Sequence, residues 1–386
     1  MIKKPKFRVD IILVLSILAL LAFGTIMVYS TTLSFSKPVQ NGLMKTHFLS
    51  LTLGIVIMFA LMLIDYNIWG KLYLIIYAGC ILLLIATLIF GKTVNNAKSW
   101  IEIGSRFTFQ PSEFVKVGLI ISLAKYIENN IENINNPFVL LKILAFAFLP
   151  VVLILLQPDV GTAIVYVFFI FIMLFSQGIS IKYVVYAIGL GVLSIPALWF
   201  SMNQYQKNRI YDFLDPTRDA MGSGRQVIQG KIALGSGKLF GRGLFKGTQN
   251  MYKYVPEKHT DSIFAIVGEE TGFVGGAIMI FLYYSMLRRM IIIAKNSDNV
   301  FGSAMVSGFL GMFFFHIVQN IGMILGILPV TGIPLPFISY AGTFQLTSLA
   351  CIGLVLSVNY NRGATRFTDD SFELLKWLSS TAKLEN

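Results

Sequence analysis

Apolar runs, each about as long as a membrane is thick, alternate along this chain with polar connections. Ten are recognisable, at about 10–29, 46–64, 72–90, 108–126, 140–156, 160–178, 183–202, 262–286, 301–327 and 340–358. Two of them, "IILVLSILALLAFGTIMVY" (11–29) and "LYLIIYAGCILLLIATLIF" (72–90), run for 19 residues without a charge. Roughly 20 apolar residues suffice to cross the hydrocarbon core as a helix. The pattern predicts an all-α integral membrane protein with ten transmembrane helices. The first run is read as a retained membrane helix, since it is long and no small-residue cleavage pattern follows it.

Most connections are short. The exception is 203–261, a polar segment rich in Gly, Lys and Arg between helices 7 and 8. Ten spans put both termini on one side. Lys3, Lys4, Lys6 and Arg8 precede the first span, Arg288, Arg289 and Lys295 follow the eighth, and Arg362 and Arg366 follow the last. The positive-inside tendency assigns all of these to the cytoplasm and makes 203–261 one large extracytoplasmic loop. The chain then reads as a single polytopic domain over 1–386 with a cytoplasmic tail at 361–386. Within that tail, "SFELLKWLSS" (371–380) has the composition of a short amphipathic surface helix.

This topology sends the unusual polar stretches to one face. They are "NAKSWIEIGSRFTFQPSE" between spans three and four, "QPDVGTA" (157–163), "VPEKHTDSIF" (255–264) and "LPVTGIPLPFISYAG" (328–342). Their convergence is the main functional signal.

Composition strengthens the membrane assignment. Of 386 residues, 55% are hydrophobic and 13% charged, with a mean hydropathy of +0.72, whereas about a quarter of a soluble domain is charged. The formal charge of +12 fits membrane orientation and an anionic lipid substrate better than nucleic acid. Cys80 and Cys351 both fall inside apolar runs and suggest neither a disulfide framework nor a thiolate metal site.

Charge inside the apolar runs is where chemistry is expected. Glu113 and Lys116 lie three residues apart behind Pro111, a residue suited to the first turn of a helix. At that spacing they share a face and can pair. Glu113 is near enough to the helix start to reach the interface. Lys116 is deeper, where a charge costs on the order of 3 kcal/mol unless it faces protein or water. A polar cavity is the favoured reading. Asp159 and Asp261 each precede a span and suit an N-cap as well as a cavity acid. Glu269 and Glu270, two turns into span eight, require at least one polar partner within the bundle. His316 reads as a hydrogen-bonded bundle histidine, and Trp100 has the ordinary placement of an interfacial anchor. The histidines and acids show no close metal-ligand spacing. "GSGKLFGRGLFKG" (235–247) fails the Walker pattern and, on composition, reads as a flexible basic surface loop.

Five stretches, "SWIEIGSRFTFQPSEFVK", "QPDVGTA", "GSGRQVIQGKIALGSGKLFGRGLFKGTQ", "VPEKHTDSIFAIVGEE" and "TGIPLPFISYAG", together resemble the SEDS family (shape, elongation, division and sporulation), and most closely its RodA-type members. The resemblance implies a peptidoglycan glycosyltransferase that polymerises lipid II on the outer face of the bacterial plasma membrane. It also implies a class B penicillin-binding protein as partner. Carried over by position, the essential loop acid falls on Asp261 as general base. The substrate-contacting positions fall on Trp100, Gln110, Glu113, Lys116, Asp159, Lys246, His259 and Ser339. Negative charge growing on a lipid-pyrophosphate leaving group calls for cations. Lys116, the basic loop and a divalent metal such as Mg2+ or Mn2+ are the candidates. Single displacement would invert the anomeric carbon. Arg225, Ser262, Ala341 and Phe344 depart from the family pattern and point to a divergent paralogue.

Two other functions compete. A flippase for the lipid-linked precursor would suit polar residues and glycine-rich connections within the membrane. A non-catalytic scaffold for cell-wall synthases would tolerate the departures near Ala341 and Phe344.

Overall fold

The protein is described by a computed structural model covering residues 9–362 apart from 95, 96, 104–106, 203, 223 and 341. The basic residues before Val9, the 371–380 segment, Arg366 and Ala341 lie outside the described residues.

Every apolar run becomes a helix. The chain order is α1 (Ile11–Thr32), α2 (Lys37–Leu63), the short α3 (Asn67–Lys71), α4 (Tyr73–Phe90), α5 (Pro111–Glu128), α6 (Pro137–Leu155), α7 (Val160–Ser176) and α8 (Ile181–Ser201). It continues with α9 (Gln204–Leu214), α10 (Arg225–Ser236), α11 (Thr248–Met251), α12 (Ile263–Lys295), α13 (Val300–Leu325) and α14 (Gly342–Tyr360). Among the described residues, α1, α2, α4, α6, α12, α13 and α14 are long and apolar enough to cross a membrane. Two other long helices fall short for local reasons: α5 carries Glu113, Lys116, Lys125 and Glu128, and α7 has 17 residues.

Helix starts follow local chemistry. Asp10 caps α1 by accepting from Leu13 N at 3.0 Å, and Pro begins both α5 and α6, where the missing N–H costs nothing. Asp10 also grips Arg289, with Nη2 to Oδ2 at 2.6 Å, which ties the start of α1 to the far end of α12. The centre of the bundle is built by α5, α13 and α14, buried along most of their length. By contrast α8 exposes Val185, Tyr186, Ile188, Leu190, Val192 and Leu193, a surface suited to lipid.

Two features correct the sequence reading. The fold is not wholly α-helical: β1 (Lys92–Val94), β2 (Ala97–Ile103) and β3 (Phe107–Phe109) form an antiparallel sheet in the order β1-β2-β3. Ile101 pairs with Phe109 and Glu102 with Thr108, so "IEI" and "FTF" form matched period-2 segments. Helix α5 accordingly starts at Pro111 rather than near 108. The second correction concerns 203–261, which carries three helices and is sewn onto α12. Gly272, at φ 68° and ψ −163°, breaks α12. Into that break the 238–243 backbone inserts, with Arg242 N donating to Glu269 O at 2.9 Å and Phe273 N to Lys238 O at 2.9 Å. A basic surface stretch is thereby fixed to the bundle by main-chain bonds.

Candidate functional site

Segments far apart in sequence meet around a cavity of about 330 Å³, at the small end of ligand sites of roughly 300–1,000 Å³. Its walls come from β2, the first two turns of α5 and α7, α9, His316 of α13 and residues 329–334. Trp100, Gln110, Glu113, Lys116 and Asp159 all line it, as do Arg209 and His316.

The deepest element is the pair that the sequence pointed to. Lys116 is 1% exposed and its Nζ donates to the Glu113 carboxylate at 2.8 Å. The same Nζ lies 3.3 Å from His316 Nε2. His316 Nδ1 is 3.2 Å from the Pro334 carbonyl, which can only accept. The ring therefore carries its proton on Nδ1 and accepts from Lys116 through Nε2. Phe344 stacks on His316 with centroids 4.8 Å apart, and Lys116 Nζ stands 5.3 Å from its ring centre. An aromatic at this position thus covers a cation that is otherwise held by polar groups.

Asp159 is both cap and cavity acid. Its carboxylate accepts from Thr162 N at 3.1 Å and Thr162 Oγ1 at 2.9 Å, and Gln110 Nε2 donates to it at 3.2 Å. The alternatives that the sequence left open are both realised here. Asp261 is different: the N-cap of α12 is Ser262, without a side-chain capping bond. The Asp261 carboxylate instead accepts from Thr260 Oγ1 at 2.8 Å. Burial raises its carboxyl above the ordinary carboxylate range; the Thr260 hydroxyl opposes this and the charge of Glu257 adds to it.

Asp261 borders the cavity through Gly332. A Cβ placed on Gly332 would lie 3.6 Å from Asp261 Oδ2 and 3.8 Å from Arg209 Nη1. Asn320 makes this adjacency by donating to the Asp261 carbonyl at 2.8 Å and the Ile333 carbonyl at 2.7 Å. Ser339 and His259 belong to the same stitching. Ser339 Oγ donates to the Thr260 carbonyl at 2.6 Å and accepts from Leu335 N at 2.8 Å, while Tyr340 N donates to the His259 carbonyl at 2.8 Å. The His259 ring sits between Phe35 and Tyr340, with centroids 5.9 and 5.7 Å away.

Among the nine site residues expected from the sequence, His259, Asp261, Ser339 and Lys246 do not line the cavity, and Asp261 reaches only its wall at Gly332. Lys246 is exposed, because its loop is anchored elsewhere: Phe245 N donates to Glu270 at 3.0 Å, and Gln249 N and Asn250 N donate to Glu269 at 2.8 and 3.1 Å. Both glutamates thus find buried polar partners, as their position required. Arg209 and Tyr205 were missed, lying in a loop with ten cations and no span to single them out. Among the described residues no three His, Cys, Asp or Glu side chains converge, so they build no metal cage of their own.

The family model described as cell cycle protein, FtsW/RodA/SpoVE, matches residues 11–364. The chain is 35% identical to the peptidoglycan glycosyltransferase MrdB of Escherichia coli K12, over 92% of this chain and 95% of that protein. It is 37% identical to stage V sporulation protein E of Bacillus subtilis, over 92% and 98%. It also superposes on one chain of a solved peptidoglycan synthase complex that coordinates polymerization and crosslinking, with TM-score 0.78 and 32% identity over 92% and 98% of the two chains. From its motifs, its bundle and these likenesses, the chain belongs to the FtsW/RodA/SpoVE family, the SEDS proteins, and is a multi-pass membrane protein.

Proposed function

We infer that this chain is a peptidoglycan glycosyltransferase that polymerises lipid II, the lipid-linked disaccharide pentapeptide, on the outer face of the plasma membrane. Relatives bearing that activity in their names are about a third identical over nearly the whole chain. The observation that carries the reading is the cavity itself, where a buried Glu113–Lys116 pair and Asp159 face a wall that ends at Asp261.

In the proposed reaction Asp261 accepts the proton of an acceptor sugar hydroxyl as that oxygen attacks the anomeric carbon of a second lipid-linked sugar. The bond from that carbon to the pyrophosphate oxygen breaks, and its electron pair leaves with the lipid pyrophosphate. A single displacement inverts the anomeric centre. Positive charge at the cavity stabilises the departing pyrophosphate where water is partly excluded. Trp100 and Gln110 at the rim are suited to a sugar face and its hydroxyls.

The ten long helices form a single polytopic domain with both termini cytoplasmic and 203–261 outside, which the basic residues flanking the spans support. The likeness to a chain of a synthase complex supports a class B penicillin-binding protein as partner. The test is polymerisation of lipid II by the purified protein in detergent, with and without that partner. Glycan strands are expected; a precursor flippase or a scaffold would make none.

A further inference from the structure

Two cations line the cavity, Lys116 and Arg209, and their bonding differs. Lys116 is buried, and its ammonium donates to Glu113 at 2.8 Å and to His316 Nε2 at 3.3 Å, with the Phe344 ring 5.3 Å away. An ammonium has three donors. Two have partners and an aromatic ring stands close by, so little remains for a ligand. To bind phosphate, Lys116 would have to leave a buried carboxylate unpaired.

Arg209 is held without being neutralised. Nη1 donates to the Val330 carbonyl at 3.0 Å and Nη2 to the Tyr205 hydroxyl at 2.6 Å. The guanidinium carbon lies 4.8 Å from the Tyr205 ring centre. Among the described residues, no carboxylate forms an ion pair with it. Among the described residues its remaining N–H donors have no protein partner, and its plane is fixed by ring, carbonyl and hydroxyl. A planar fork of this kind matches two phosphate oxygens at once, which an ammonium cannot do. Its position matters as much: both Nη atoms are within 4 Å of the place a Cβ would take on the exposed Gly332, and so is Asp261 Oδ2. The proposed base and an unneutralised guanidinium therefore flank one residue that has no side chain.

We propose that Arg209 is the ligand for the substrate's pyrophosphate, and that Lys116 is a positioning residue that holds Glu113 and His316. This rests on the glycosyltransferase reading for its substrate. As the anomeric carbon–oxygen bond breaks, the electron pair moves onto the pyrophosphate oxygen beside Arg209, and the acceptor's proton passes to Asp261 across Gly332.

The test uses the full chain in detergent and farnesyl pyrophosphate as probe, with farnesyl monophosphate as control. Arg209→Gln should weaken binding of the pyrophosphate probe by on the order of tenfold or more, and Arg209→Lys should lose most of the preference for pyrophosphate over monophosphate. On the wild type itself, phenylglyoxal modification of Arg209, followed by mass spectrometry, should slow when the probe is added; this readout needs no variant to fold. Probe affinity within about twofold of wild type in a folded Arg209→Gln protein, or modification unaffected by the probe, overturns the assignment. If glycan is made while Arg209→Gln still holds the probe, the ligand assignment fails and the polymerase reading stands. If Arg209 binds the probe but the wild type makes no glycan, the polymerase reading fails and the ligand assignment stands.

Discussion

Lys116 Nζ reaches His316 Nε2 at 3.3 Å across 200 residues of sequence, while its other hydrogen bond goes to Glu113, one helical turn away. Three groups on α5 and α13 thus form one buried polar unit inside an apolar bundle. Breaking a buried pair by removing one partner leaves an uncompensated charge, at about 3–5 kcal/mol. Lys116→Met should therefore lower the thermal midpoint in detergent markedly. Lys116→Met/Glu113→Leu should recover much of the loss, because no charge is then stranded. Equal midpoints for the single and double variants would show that the two residues are not coupled.

The close approach of α1 to the 328–340 segment gives a sign test. A Cβ on Gly24 would overlap the Phe337 carbonyl oxygen and lie 2.7 Å from Ile338 Cα, both main-chain atoms. In an unobstructed helix, Gly→Ala stabilises by about 1 kcal/mol. Gly24→Ala should instead destabilise by about 1–3 kcal/mol, as overpacking does, and should lower polymerisation by displacing the segment that carries Gly332. A raised melting temperature would contradict this packing.

Glu269 and Glu270 make different demands on the loop that follows α10. Their carboxylates accept from the amides of Phe245, Gln249 and Asn250 and from the side chains of Ser30 and Asn250. Hydrogen exchange should find those three amides protected in the free protein and the 204–222 stretch less so. Glu270→Gln should remove protection at Phe245 and cost about 1–3 kcal/mol, as buried hydrogen bonds to a charged group do. Uniform exchange along 204–261 would show that the anchoring is absent in solution.

The Asp261 carboxyl links activity and stability to pH. Burial raises it, yet a base works only when ionised. The acid limb of the pH–rate profile should therefore lie above the ordinary aspartate value of about 3.9. For stability the sign is reversed. A folded-state value above the unfolded one gives a stabilising contribution at acid pH that is lost as pH rises through the folded value. At neutral pH Asp261→Asn should accordingly melt at or above the wild-type temperature, and that advantage should shrink in acid. An Asn variant less stable than wild type at neutral pH would contradict the burial effect.

Much of this was legible before any coordinates. The ten apolar runs became helices because length and hydropathy nearly determine such segments, and Glu113 with Lys116 announced the cavity by their cost in lipid. The sheet at 92–109 was missed although "IEI" and "FTF" alternate, since the neighbouring apolar runs dominate the pattern. The ordered 225–261 stretch was hidden because glycine content speaks for freedom, whereas the partners that remove it, Glu269 and Glu270, lie on another element. Arg209 was indistinguishable from its neighbours for a similar reason: what singles it out is Tyr205, Val330 and the space over Gly332, and only Tyr205 is near it in sequence.

The central claim is that Asp261 accepts the proton in glycan polymerisation. Asp261→Asn preserves shape but removes that ability, and Asp261 forms no helix cap that Asn would need to replace. With the variant purified beside the wild type and supplied with lipid II and the partner, its polymerisation rate should fall by a factor on the order of 10² or more, with folding and partner binding unchanged. A rate above about half the wild-type value would contradict the claim, since general-base catalysis supplies far more than twofold.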